Sequence, residues 1–197
     1  MTLVNALEKN QQDLLENEGL AVNVTTTPVL VAGMVYGNTI VDAPTVTVHS
    51  FINASPDTVM MILRNGHKFA TNCTYTLNKT APIDHNITTN QENYKIKAPF
   101  IGDLSMDLKR TFTTLDHNEG YTMEWNSEKV NIGIQETSGS VQVVPYHGGT
   151  LVCCKLSVTP TAMAATTMNT AGITPETLPE KVLGTIQRIN DQIKDFV

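Results

Sequence analysis

The sequence predicts an α+β fold: an antiparallel sheet through the middle of the chain and one long helix at its end. Three observations predict it. Residues 175–197 place Val182, Ile186, Ile189, Ile193 and Phe196 at spacings of four, three, four and three, a single stripe along a helix. The middle of the chain alternates apolar and polar residues in short runs divided by Gly, Asn, Asp and Pro, the signature of half-buried strands. Between its first two alternating runs stands one strong helix start, Ser55-Pro56-Asp57.

In chain order, Leu3, Val4, Leu7, Leu14 and Leu15 form a weaker helical stripe over residues 2–17, with Gly19 as its stop. This segment reads as a helix packed on the domain, a dimerisation arm or a lid. Residues 21–42 are rich in Val and Thr and read as one or two strands broken at Pro28, Gly33 and Gly37. Val46, Val48 and Ile52 alternate in the next strand. Ser55 then caps a helix with Pro56 at its first position and Asp57 in its first turn, running through Val59, Met60, Ile62 and Leu63 to Asn65-Gly66. About six strands follow, joined by turns at Pro82/Asp84, Gly102-Asp103, Asn118-Gly120 and His147-Gly149. Short turns between consecutive strands imply antiparallel pairing. A small-residue linker, residues 159–172, leads to the final helix, which starts with Thr177 and Glu180 at capping-box spacing and Pro179 in its first turn. Its other face carries Lys181, Gln187, Arg188, Asn190, Asp191 and Lys194, so the apolar stripe must lie on something.

Composition narrows the function classes. The chain has 197 residues, enough for one domain with an appendage. Charged residues are 16% of it and the net charge is -6, with no block of like charge, which argues against nucleic acid or an anionic membrane as main partner. No run of about 18 apolar residues occurs, so no integral membrane segment is expected. The first residues lack the basic start and apolar core of a signal peptide. Cys73, Cys153 and Cys154 are odd in number and two are adjacent, which fits free thiols and a cytoplasmic location. Asn-x-Ser/Thr triplets at Asn23, Asn53, Asn72, Asn78 and Asn86 are what a chain rich in Asn and Thr produces by chance.

The order strand, short helix, strands, long helix resembles the helix-grip fold of the START, birch-pollen-allergen and polyketide-cyclase superfamily. The run TVTVHSFIN into SPDTVMMILRN and the closing helix PEKVLGTIQRINDQIKDFV carry the resemblance, which covers residues 44–197 and leaves residues 1–43 as an N-terminal extension of helix plus strand. Ala54-Ser55-Pro56-Asp57-Thr58-Val59 is similar to the family's helix start; the Trp that often follows that valine is replaced by Met60 or Met61. The resemblance implies a curved antiparallel sheet of about seven strands wrapped around the C-terminal helix. It also implies a cavity between them for lipids, sterols, hormones, flavonoids or polyketides.

The apolar parity of each strand should face the final helix. The expected ligand contacts on that face are Tyr75, Tyr94, Ile96, Met106, Leu108, Phe112, Met123, Trp125, Ile134 and Val143, with Ile186 and Ile189 across from them. Val48, Ile132, Val141, Cys154 and Leu156 complete the wall. These side chains either line a cavity or fill it; the resemblance and eight methionines, which suit adaptable apolar surfaces, favour the cavity. Arg110 shares parity with Leu108 and Phe112. Its guanidinium reaches water at a strand end, pairs with Glu136 on the Ile134 parity, or meets a ligand acid. Glu136 and Arg110 therefore join the candidate site. His49 sits opposite in parity to Val48 and is expected to face outward; His85, His117 and His147 fall in turns, and His67 alone is a candidate acid or base. No metal-ligand spacing, phosphate loop or nucleophile motif occurs, so neither metal nor cofactor is expected. The leading reading is a carrier, store or sensor of a hydrophobic small molecule. The second is a cyclase, aromatase or dehydratase using Arg110, Tyr75, Tyr94, Glu136 and His67. The third is an interaction module, homodimeric through residues 1–43.

Overall fold

The computed structural model describes residues 13, 20–33, 37–65, 73–98, 102–115, 119–127, 134–163 and 165. They form one eight-stranded antiparallel sheet and one short helix: β1 (Leu20–Val31), β2 (Thr39–Ile52), α1 (Pro56–Arg64), β3 (Cys73–Asp84), β4 (Ile87–Ala98), β5 (Gly102–Thr114), β6 (Tyr121–Ser127), β7 (Ile134–Tyr146) and β8 (Gly149–Pro160). The strand order is β1-β2-β8-β7-β6-β5-β4-β3, so six consecutive strands run as a meander and β8 then pairs with β2. The N-terminal stripe, the long C-terminal helix, Ile132, His67 and His117 lie outside the described residues.

Eight strands form where about seven were expected, because the Val/Thr-rich run splits into β1 and the start of β2. Pro28 does not break β1, nor does Pro82 break β3, because these are the two edge strands, where a missing N–H costs no ladder bond. The turn expected at Pro82/Asp84 therefore falls later, at His85-Asn86. The β7–β8 hairpin turns on His147 and Gly148, with φ of 45° and 82°, a two-residue turn whose twist matches the strands and whose second position suits glycine.

α1 forms as its sequence dictates. Ser55 Oγ accepts from the Thr58 N–H at 3.2 Å, Pro56 opens the helix, and the Asn65 N–H closes it on Ile62 O at 3.0 Å. Its apolar face, Val59, Met60, Ile62 and Leu63, packs on Ile52, Phe112, Met123, Val141, Val143 and Val152. The sheet face beneath α1 is called the inner face. The Thr150 hydroxyl ties β8 to the strand–helix junction by donating to Ala54 O at 2.6 Å.

Beside this core, Val46 and Val48 of the inner face pack with Val24, Cys154 and Leu156. The other face is also covered around β2 and β8, where Leu151 packs with Phe51, Val144 and Tyr146. That covering corrects the expectation for His49. It points away from Val48 as its parity requires, yet it is 8% exposed, and its Nδ1 has no hydrogen-bond partner among the described residues. Burial lowers its pKa from 6.5. The folded state thus holds His49 neutral, while the unfolded chain takes up a proton below 6.5. This contribution to stability is complete above 6.5 and is lost as pH falls through that value. Melting temperatures at pH 7.5 and 5.5 should fall further for the wild type than for His49→Gln. Equal slopes would remove His49 from the pH response.

Candidate functional site

Strand register sets the inner face in rows. Arg110, Trp125 and Gly139 are cross-strand partners in turn, followed by Leu156, Val46 and Val24. The adjoining row begins Leu77, Glu92, Leu108, and the next Tyr75, Tyr94, Met106. Cross-strand partners share a face, so Tyr75, Tyr94, Met106, Leu108, Arg110, Phe112, Met123, Trp125 and Val143 come together as their parity predicts. They divide by burial. Phe112, Met123 and Val143 are sealed in the core under α1, whereas Tyr75, Tyr94, Met106 and Trp125 remain half-buried beyond it. The backbones of Ile96 and Ile134 lie in β4 and β7; Ile186 and Ile189 fall outside the described residues.

The polar centre of this apolar face is an ion pair. Arg110 and Glu92 have side chains 6% and 0% exposed. Arg110 Nη2 donates to Glu92 Oε1 at 2.7 Å, and Nε lies 2.6 Å from Oε2, too bent for a second linear hydrogen bond. Three more groups donate to the same carboxylate: Tyr94 to Oε2 at 2.9 Å, and Tyr75 and Asn90 to Oε1 at 3.2 Å each. Arg110 Nη1 reaches Leu63 O at 3.4 Å, near the C-terminal end of α1, where a cation is favoured. The guanidinium also lies 5.2 Å from the centroid of the Phe112 ring. The Tyr75 and Tyr94 rings meet edge to face at 5.3 Å.

These contacts correct the pairing expected from sequence. Arg110 neither reaches water nor meets Glu136; its partner is Glu92. The register shifts between Ile134 and Glu136, so from there onward the opposite parity of β7 turns inward, burying Thr137 and leaving Glu136 exposed. Glu92 was legible in principle, since it shares parity with Tyr94 and the rule that turned Tyr94 inward applies two residues earlier. Its setting, Asn90-Gln91-Glu92-Asn93, hid it as a polar run.

Electrostatics follow from this packing. Burial raises the Tyr94 phenol; the Arg110 charge works the other way and the Glu92 carboxylate adds to the rise. Burial opposes the Arg110 charge, but the hydrogen bond to Glu92 outweighs it and the net shift is upward. Gly139, between Trp125 and Leu156, has no side chain because one would strike the Trp125 ring and Lys155 O. The indole therefore lies across bare backbone. Cys153 and Cys154 are free thiols on opposite faces of β8, pushed up by burial to about 11 and about 12, which keeps them protonated. Among the described residues no three His, Cys, Asp or Glu side chains gather as metal ligands would. No described helix is long and apolar enough to cross a membrane.

No family model matches the sequence, and no curated protein matches it. Solved structures do match. A START superfamily protein from Mycobacterium smegmatis superposes with a TM-score of 0.56 at 10% identity, over 78% of this chain and 99% of that one. The fold is that of the START and birch-pollen-allergen superfamily. The human StarD13 (DLC2) lipid transfer and protein localization domain is similar over 94% of this chain and 96% of its own, with a TM-score of 0.52 and 14% identity. Ara h 8.0201 gives 0.50 at 8% identity, over 78% and 99%. At such identities the START-type fold is what is shared, and the Glu92–Arg110 centre is read from this chain's own residues.

Proposed function

We propose that the protein holds a hydrophobic small molecule bearing one hydroxyl-type polar end, of lipid, sterol, isoprenoid or polyketide kind, as a carrier, store or sensor. The ligand occupies the space between the inner face and the C-terminal helix expected from sequence. The observation that carries this reading is the Glu92–Arg110–Tyr94 cluster set in an otherwise apolar wall. A few fixed polar groups in an apolar surface are what orient a greasy ligand. The Glu92 carboxylate is already taken by Arg110, Tyr94, Tyr75 and Asn90. Tyr94 spends its proton on Glu92, so the phenol oxygen can only accept from a ligand. A ligand hydroxyl supplies that donor and a ligand carboxylate does not. Two things favour a binder over an enzyme: burial holds the Tyr94 proton tightly, and Arg110 stays charged, so neither serves as a proton shuttle near neutral pH. The START-type fold, shared with a human lipid transfer domain, adds support. The free thiols fit a reducing, cytoplasmic setting. Self-association through residues 1–43 is a companion proposal, read by light scattering on a chain lacking residues 2–18.

Native mass spectrometry of freshly purified protein should show an added mass that denaturation releases as an apolar compound. Tyr94→Phe should weaken a hydroxyl-bearing ligand by roughly 2–10-fold, the worth of one hydrogen bond, and leave its deoxy analogue unchanged. Failure of an environment-sensitive apolar probe to enter the protein would sink the proposal.

A further inference from the structure

We infer that the β1–β2 ribbon docks the protein on the surface of an electrically neutral, zwitterionic phospholipid bilayer through Leu30 and Ile40. The inference stands on the ribbon itself and goes beyond the ligand reading. β2 pairs with β8 only from Thr45 to Ile52, but with β1 already from Thr39. Among the described residues, 39–44 and 26–31 therefore form a two-stranded ribbon with no third strand beside it. Leu30 and Ile40 stand directly opposite each other on it, 62% and 69% exposed. The alternate positions Val31, Val41 and Ala43 are buried, so one side of the ribbon is anchored and the other presents its apolar pair outward.

A large apolar cross-strand pair in water needs a reason, because the neighbouring exposed positions of β1, Thr25, Thr26 and Thr27, carry the polar side chains a solvent-facing strand ordinarily has. Charge says what kind of surface fits. No Asp, Glu, Lys, Arg or His lies between Gly19 and Asp42, so the ribbon can enter an interfacial layer without desolvating a charge. The chain as a whole carries -6 and the ribbon offers no cation, so anionic headgroups would repel it and neutral ones would not. Area argues against a protein partner: two side chains cannot supply the roughly 800 Å² per partner that a stable protein interface needs. Shallow insertion of two side chains, by contrast, is a common mode of reversible membrane contact. Leu30 and Ile40 also share their strand face with Val24 and Val46, so the docked side is the one continuous with the inner face.

The test is co-sedimentation of the full chain with extruded phosphatidylcholine vesicles, at low and at high salt. The wild type should pellet with the vesicles equally at both salts. Leu30→Glu/Ile40→Glu should lower its partition about tenfold or more. Leu30→Thr/Ile40→Thr, which retains residues suited to strands, should do the same with an unchanged melting curve, so that loss of folding is not the cause. Failure of the wild type to pellet, pelleting only with anionic vesicles, or equal pelleting of both variants would overturn the inference. So would light scattering that shows a wild-type dimer separated into monomers by the same substitutions.

Discussion

Glu92→Leu should lower folding stability by about 3–5 kcal/mol in chemical denaturation, the usual cost of leaving a buried charge without its partner. The carboxylate is the one acceptor holding Arg110 Nε and Nη2, and the Tyr75, Tyr94 and Asn90 donors close on the same two oxygens. Leucine strands a guanidinium whose side chain is 6% exposed, with only Leu63 O and the Met123 sulfur near Nη1. The double variant Glu92→Leu/Arg110→Met should regain most of the loss. With both charges gone, nothing pays desolvation, and methionine can follow the arginine stem against Phe112. The two results together separate the worth of the pair from the cost of breaking it. A single variant no less stable than the double would show that Arg110 finds another partner or reaches water.

Phe112→Ala should cost about 3–5 kcal/mol, the range for truncating a buried aromatic ring. Phe112 is 2% exposed and joins α1 to β5, with Arg64 5.5 Å and Arg110 5.2 Å from its ring centroid. α1 is nine residues long and would not persist alone in water, so its stability comes from this packing. Amide exchange should therefore quicken at Val59–Leu63 in the variant more than in the β7–β8 hairpin. Uniform quickening would instead show that α1 and the sheet open as one unit.

Legibility from sequence followed how local each cause is. The Ser55 cap, Pro56 and Asp57 act within one turn, and α1 stands where they put it. Alternation over β5 and β6 placed Arg110, Phe112, Met123 and Trp125 on one face because no register shift interrupts their pairing. β7 differs: one extra residue after Ile134 reversed the face of all that precedes it, and nothing in Gln135-Glu136 signals such a shift. Glu136 was paired with Arg110 for that reason. Glu92 escaped because a carboxylate in a polar run reads as solvated until the strand opposite brings a guanidinium to it. His49 was read by parity alone, which gives direction but not cover; burial of both faces of β2 comes from partners distant in sequence. The proline strands were misjudged by assuming central positions, whereas Pro28 and Pro82 lie at the two free edges.

The β2–β8 seam has a consequence for synthesis. Thr45 meets Ser157, 112 residues later, through a 2.8 Å hydroxyl contact. At about 5–20 residues per second, the N-terminal hairpin waits roughly 6–22 s on the ribosome before its partner strand exists. During that interval Val46 and Val48, fully enclosed in the finished molecule, have no neighbour to cover them, while each strand of the β3–β8 meander can zip onto the one just made. The last step of folding is thus a long-range closure, slow by contact order, and the nascent hairpin is where a chaperone would be needed.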